Sequence, residues 1–427
     1  MKKMVTGSLI YQLVVLIISG MFLFASGVSV FADEVVKIGL SYPETGPYAA
    51  QGLDEKRAAD MAVEEINAAG GILGKKVQLV YRDTKSNPKI ARENAIELFD
   101  KEGVPMLFGG SSSGVAIADN KVALQKNKIF FGTLTYATAT TIEEGNRNIF
   151  RECYDSYMAA KVLSNYLNQH FGGKKYFYIT VDYIWGTTTE DAFRKFTNTT
   201  DKAVNGGVLT RLGAMDFKDA LTAAKESGAQ VLVLTEFGRD MGISVKQAYE
   251  MGLKKTMQII VPNLTLDMAE GAGPEAMEGI IGAEPWNWTI PFKYNYPKGI
   301  AFVNKFEQLY KRYPSEAGGS AYVILYQYKD AVERAKTFDT KAVIEALEGH
   351  HYIGLKDEQY WRPWDHQSIQ TVYAEIAKPA DEVKKSKYGE DYFEILNSMK
   401  GDEAAIDQKD WLDLRAKVGE AALQEGK

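Results

Sequence analysis

The sequence predicts an α/β protein built from two parallel-sheet lobes. Three observations carry this. A strand–helix–strand unit runs from Val35 to Asp83, strand and helix patterns keep alternating to Phe131, and the alternation restarts at Tyr176 and continues to Val261. The second half repeats the architecture of the first without repeating its sequence.

Val35 to Leu40 is short, apolar and β-branched, as a buried strand requires. Pro43, Gly46 and Pro47 stop it and force a loop from Ser41 to Gly52. Asp54 and Glu55 are read into the first turn of the next helix, where their charge suits the helix N-terminus. Ala59, Ala62, Val63 and Ile66 recur on one helical face, and Gly70-Gly71 ends the helix with a left-handed cap. Val77 to Tyr81 is the second strand. A βαβ unit makes the sheet parallel, and ligands of such sheets bind beyond the carboxyl ends of the strands.

A helix is predicted from Ile90 to Lys101, a third strand from Val104 to Phe108, a helix from Ala116 to Lys126 and a fourth strand over Ile129-Phe130-Phe131. Ile149 to Tyr157 reads as a crossing out of the first lobe. Further strands are predicted at Tyr176–Val181, Val208–Ala214, Val231–Leu234 and Met257–Val261, with helices at Thr189–Phe196, Phe217–Glu226 and Met241–Met251. Gly279 to Trp288 reads as a second crossing. Helices from Ile300 to Tyr313 and Ala321 to Lys336 are assigned back to lobe one, and Trp361 to Ile376 to lobe two. The tail from Pro379 is charged and helical in pattern.

The chain has 427 residues and a net charge of −6, with no basic excess to indicate nucleic acid. Lys2 and Lys3 precede an apolar run from Leu9 to Phe24, and Val30-Phe31-Ala32 offers a cleavage site after Ala32. This is read as a cleaved secretory leader over residues 1–32, leaving a protein free in a periplasm-like compartment. Cys153 is the one cysteine, so no internal disulfide is available, and no cysteine at the cleavage site offers a lipid anchor.

Thr45-Gly-Pro-Tyr-Ala-Ala-Gln-Gly52, then Ala69-Gly-Gly-Ile-Leu-Gly-Lys-Lys-Val-Gln-Leu-Val-Tyr-Arg-Asp83, Asn87-Pro88 and Phe108-Gly-Gly-Ser-Ser-Ser-Gly114 resemble the periplasmic binding proteins for branched-chain amino acids. The resemblance implies a type I periplasmic binding fold, whose two Rossmann-like lobes are joined by a three-crossing hinge. It also implies closure on a small ligand and delivery to an ABC transporter permease, by a monomer with no cofactor. The expected division is lobe one over 33–153 plus 286–362, lobe two over 154–285 plus 363–380, and a tail at 381–427 left unplaced.

Ser111, Ser112 and Ser113 follow a strand and open a helix, so three hydroxyls stand beside free helix N–H groups, a seat for a carboxylate or other anion. The resemblance gives this loop the ligand carboxylate without fixing which serine holds it; ordinary capping is the bland reading. Gly110-Ser-Ser-Ser-Gly114 also matches a nucleophile elbow, which needs an acid and a histidine; none of His170, His350, His351 and His366 stands at a comparable strand end. The resemblance further implies ligand contacts from Leu134, Thr135 and Tyr136, from Tyr183 and Trp185 just past a strand end, from Tyr322, and from Gln51 where the family often has Tyr.

Asn263 stands where the family's amino-acid binders carry a Glu that pairs with the ligand ammonium. A buried ammonium without an anion is costly. Glu236 or Asp182 is left to supply the charge; otherwise the ligand is an amide, a urea-like compound or an aromatic carboxylate. A sensory module on the same fold and a secreted serine hydrolase are the competing classes. No catalytic residue and no metal site are assigned.

Overall fold

A computed structural model describes residues 34–420 and Leu423; the leader assigned to 1–32 lies outside them. Among the described residues no helix is long and apolar enough to cross a membrane.

The first sheet has the order β2-β1-β3-β4-β5 and is parallel throughout: β1 Val35–Tyr42, β2 Lys76–Asp83, β3 Met106–Gly109, β4 Ile129–Gly132 and β5 Ile149–Arg151. β3 and β4 are buried end to end, because helices cover both sheet faces. The helix Ala49–Ala68 packs against Glu316–Ala335 on one face, while Pro88–Asp100 packs against Ser113–Lys126. The second sheet is built from β6 Tyr176–Val181, β7 Gly207–Thr210, β8 Val231–Thr235, β9 Gln258–Val261 and β10 Ile281–Glu284. A three-stranded antiparallel patch follows: β11 His351–Ile353, β12 Glu358–Trp361 and β13 Ser368–Ile369. β14 Val372–Ala377 and β15 Phe393–Met399 then complete the second sheet, in the order β15-β14-β10-β9-β8-β6-β7. In it β14 pairs antiparallel with both β10 and β15, and the other pairs are parallel.

Three chain segments cross between the lobes: after β5, after β10 and after β13. They are tied to one another by buried polar groups. Gln367 Nε2 donates to the Cys153 carbonyl at 2.7 Å, and Lys356 Nζ donates to the carbonyls of Thr371 (2.6 Å) and Pro285. Arg151, fully buried, reaches Gln367 Oε1 at 2.5 Å, the Ala137 carbonyl at 2.6 Å and Asp155 at 2.8 Å. The buried side chains of Gln367, Lys356 and Arg151 each find protein acceptors, which is what keeps such a crossing affordable.

Several local readings are corrected. The first helix starts at Ala49, so Asp54 and Glu55 stand one turn further in, buried against lobe one; Asp54 pairs with Arg57 (2.8 Å) and Arg312 (3.5 Å). Gly279–Trp288 is not all crossing, since β10 lies within it, paired with β9 and β14. The segment Ile149–Tyr157 likewise opens with β5. Helices read from Thr189 and Ala321 begin at Ile184 and Glu316. The tail is not uniformly helical: it supplies β15, the edge strand of the second sheet.

Candidate functional site

The loops at the carboxyl edges of the two sheets face one another and touch. Arg239 N donates to the Pro47 carbonyl at 3.0 Å, and the Tyr48 and Tyr183 hydroxyls lie 3.2 Å apart. Phe237, just past β8, is the centre of an aromatic cluster drawn from both lobes. Its ring lies 5.3 Å from Tyr48 and 5.6 Å from Tyr136 of lobe one, and 5.8 Å from Trp185 of lobe two, all edge to face. Tyr183 extends the cluster beside Trp185 (6.1 Å) and Tyr154 beside Tyr136 (5.4 Å). Such pairs add about 0.5–1.5 kcal/mol each beyond burial of their area.

Of the residues expected from sequence, the structure brings Ser112, Tyr136, Tyr183 and Trp185 into this cluster. Ser112 precedes the helix Ser113–Lys126 with φ 149° and ψ 128°, a backbone shape that costs of order 1–3 kcal/mol outside glycine. Burial pushes the Tyr183 phenol pKa up, opposed by the adjacent Tyr48 and Ser112 hydroxyls, which sets the serine loop of one lobe against the aromatic wall of the other. Gly109 makes room for that loop: a Cβ there would lie 2.1 Å from the Ser41 carbonyl oxygen. Ser111 lies beside Glu55, whose carboxyl burial pushes up to about 7, opposed by Thr133, whose hydroxyl donates to it. Ser113 Oγ is committed to the Ala137 N–H at 3.0 Å.

Gln51 is buried one turn after Tyr48, its Oε1 without a partner, and the Trp185 indole N–H is also buried without one. Asn263, 1 % exposed, stands next to Tyr154 with neither amide atom in a normal hydrogen bond. Leu134 is core, and the Thr135 hydroxyl is engaged by Thr140 at 2.8 Å within lobe one. Tyr322 is not part of the cluster. Its hydroxyl donates to Glu65 at 2.5 Å, beside Tyr326 at 2.6 Å, on a separate cavity of about 630 Å³ that also holds His350 and His351.

Asp182 is exposed, whereas Glu236 is wholly buried rather than a solvated strand-end carboxylate. Burial raises the Glu236 carboxyl to about 8, opposed by Thr210, which donates to it at 3.2 Å. An acid with a raised pKa holds its proton in the fold and releases it near pH 4.3 when unfolded, so its effect on stability worsens as pH rises from about 4.3 towards 8. Glu236→Gln is therefore expected to melt higher than the parent at pH 8–9, with the difference shrinking or reversing at pH 5. Thermal melts across that range check it; a difference independent of pH would refute it.

Sequence reasoning passed over Tyr48, Tyr154, Phe237 and Glu316. Phe237 carries the same strand-end signal as its neighbour Glu236. Glu316, buried, accepts the Tyr136 hydroxyl from 180 positions away, which no local pattern announces. The serine elbow has no histidine among the hydrogen bonds of the described residues. Buried His366 stacks on Phe150 at 4.0 Å and binds the Ile149 carbonyl and Glu348, each at 3.0 Å.

Residues 35–378 match the family model described as periplasmic binding protein. The Leu/Ile/Val-binding protein homolog 3 of Brucella melitensis is 30% identical over 334 residues, covering 76% of this chain and 85% of that protein. An amino acid binding protein of Pseudomonas aeruginosa is 31% identical over 349 residues, 78% of this chain and 88% of its own. The crystal structure of a periplasmic binding protein from Burkholderia mallei superposes with a TM-score of 0.80 at 27% identity, covering 88% of this chain and 98% of that one.

Proposed function

Since the chain belongs to the periplasmic binding protein family, we propose that it captures one small hydrophobic amino acid between its lobes and delivers it to an ABC importer. The observation that supports this most directly is the aromatic cluster around Phe237, to which both lobes contribute. A ligand favours closure only if it touches groups of both lobes, and this cleft offers such groups on either side. The serine loop, at a helix N-terminus, seats the carboxylate, and Tyr48, Tyr183, Trp185 and Phe237 cover the side chain. The buried Glu236 carboxyl gives up its proton to balance the ammonium. No bond is made or broken. Cargo is released to a permease in the periplasm, and the protein acts as a monomer after leader cleavage.

Asn263 favours a second reading. A buried amide with both atoms unengaged suits an amide, a urea-like compound or an aromatic carboxylate better than an ammonium. A thermal-shift screen of leucine, isoleucine, valine, phenylalanine, an aliphatic amide, urea and 4-hydroxybenzoate, followed by calorimetry, separates the two. A leucine-type hit is expected. Binding of the ammonium-free compounds alone would overturn the amino-acid reading and leave the second.

A further inference from the structure

The family match stops at residue 378, but the chain goes on through more than forty described residues that touch both lobes. β15 pairs antiparallel with β14, from Ala377 against Phe393 to Val372 against Met399, and so belongs to the second lobe's sheet. Asn397 Nδ2 fixes it to the Val162 carbonyl at 3.2 Å, and Lys161 Nζ reaches the Glu403 carbonyl.

The chain then runs along the hinge. Lys400 pairs with Asp357 at 2.8 Å, Tyr360 donates to Asp402 at 2.6 Å, and Arg362 Nη1 donates to the Ile406 carbonyl at 2.9 Å. Asp357, Tyr360 and Arg362 all lie on the stretch that leads into the third crossing. Gly401 passes so close that a Cβ would stand 2.4 Å from the Gln370 backbone nitrogen.

The last helix, Gln408–Lys417, finally docks on the first lobe. Trp411 Nε1 donates to the Thr141 carbonyl at 3.0 Å, and Arg415 Nη1 donates to the carbonyls of Ile142 (2.5 Å) and Gly145 (3.1 Å). Trp411 and Arg415 are buried, and Trp411 joins Ile142 and Ile406 in a small apolar core of their own. The receiving loop is anchored in lobe one: Asn120 donates to the Glu144 carbonyl at 2.9 Å, and Lys121 pairs with Glu144 at 2.8 Å. Both residues lie on the helix Ser113–Lys126, whose N-terminus carries the serine loop.

We propose that residues 393–417 are a fourth inter-lobe connection, a non-covalent strap that limits how far the cleft opens. All its contacts are made in the conformation in which Arg239 touches Pro47, that is, with the lobes together. Between β15 and the Trp411–Arg415 grip, the chain is pinned at Tyr360 and Arg362, so little slack is left for rotation of one lobe against the other. Wide opening has to pull the helix off the Thr141–Gly145 loop, exposing Trp411 and breaking the Arg415 hydrogen bonds to the Ile142 and Gly145 carbonyls. The strap therefore biases the ligand-free protein towards its binding-competent state, and apparent affinity scales with the population of that state. This rests on the reading of the cleft as the ligand site.

The test pairs a chain ending at Lys400 with a double variant, Trp411→Phe with Arg415→Gln, which keeps most of the buried volume should the shortened chain fail to fold. Small-angle scattering without ligand and leucine calorimetry are measured on each variant that melts cooperatively. The expected result is a larger radius of gyration than the parent's without ligand, and leucine binding weakened about tenfold. An unchanged radius of gyration, or an affinity equal to or higher than the parent's, would overturn the strap. If the parent itself does not bind leucine, the ligand assignment falls, and the scattering comparison alone decides this inference.

Discussion

Gly238→Ala is expected to leave a folded protein whose lobes no longer close, with ligand affinity reduced by about 100-fold, or ~2.7 kcal/mol. Gly238 follows Phe237 with φ +60° and ψ −134°, and a Cβ on it would meet Tyr48 Cδ1 at 2.5 Å and the Pro47 carbonyl oxygen at 2.8 Å. Both atoms belong to the other lobe, so the collision exists only when the lobes are together. The backbone strain is a separate effect. It costs of order 1–3 kcal/mol in open and closed forms alike, and shows as a lower melting temperature without ligand. Calorimetry and ligand-free melting measured on one preparation separate the two: strain alone moves only the melt. Parent affinity in the folded variant would show that the Pro47–Tyr48 loop does not have to meet Gly238 for binding.

Trp185→Ala is the second large effect. Trp185 sits in the first turn of the helix Ile184–Phe196, 1 % exposed, with its ring against Phe237 and Tyr183. Removing a buried indole takes away contact area that loses little entropy on binding, and truncations of this kind cost about 3–5 kcal/mol where the ring is fully packed. Trp185 backs Phe237, whose ring meets Tyr48 and Tyr136 of the opposite lobe, so the loss is expected to fall on the closed state. Ligand affinity should drop by about 100-fold while the ligand-free melt shifts by only a few degrees. Unchanged affinity by calorimetry in a folded variant would remove Trp185 from the site.

What local sequence made legible were the groups that stand at strand ends. A buried strand is recognisable over a handful of residues, and in a parallel sheet its carboxyl end marks the ligand edge; Ser112 was placed there by that rule, and Tyr136, Tyr183 and Trp185 by that rule together with the resemblance. Phe237 obeyed the same rule and was passed over beside the more conspicuous Glu236. Tyr322 rested on resemblance alone, and the structure places it outside the cluster. It lies on the helix Glu316–Ala335, where its hydroxyl donates to Glu65. β10 was mistaken for crossing because Ile281 to Glu284 is four residues long and gives little pattern to read. β15 was hidden because an edge strand, exposed on one side, carries Glu394, Asn397 and Ser398 among its apolar residues.

By itself the sequence determined the α/β class, the restart of the alternation that makes a second lobe, and the sheet edge at which the candidate site lies. These follow from hydrophobic periodicity and chain-breaking residues, which act over a few positions at a time. Which distant side chains meet, within a lobe and across the cleft, was decided only by tertiary structure. The rings of Tyr48 and Phe237, the Tyr136–Glu316 hydrogen bond and the grip of Trp411 and Arg415 on Thr141–Gly145 join residues 180 or more positions apart. Such contacts depend on how two separately specified sheets are set against one another by the crossings, and no short-range pattern encodes that orientation.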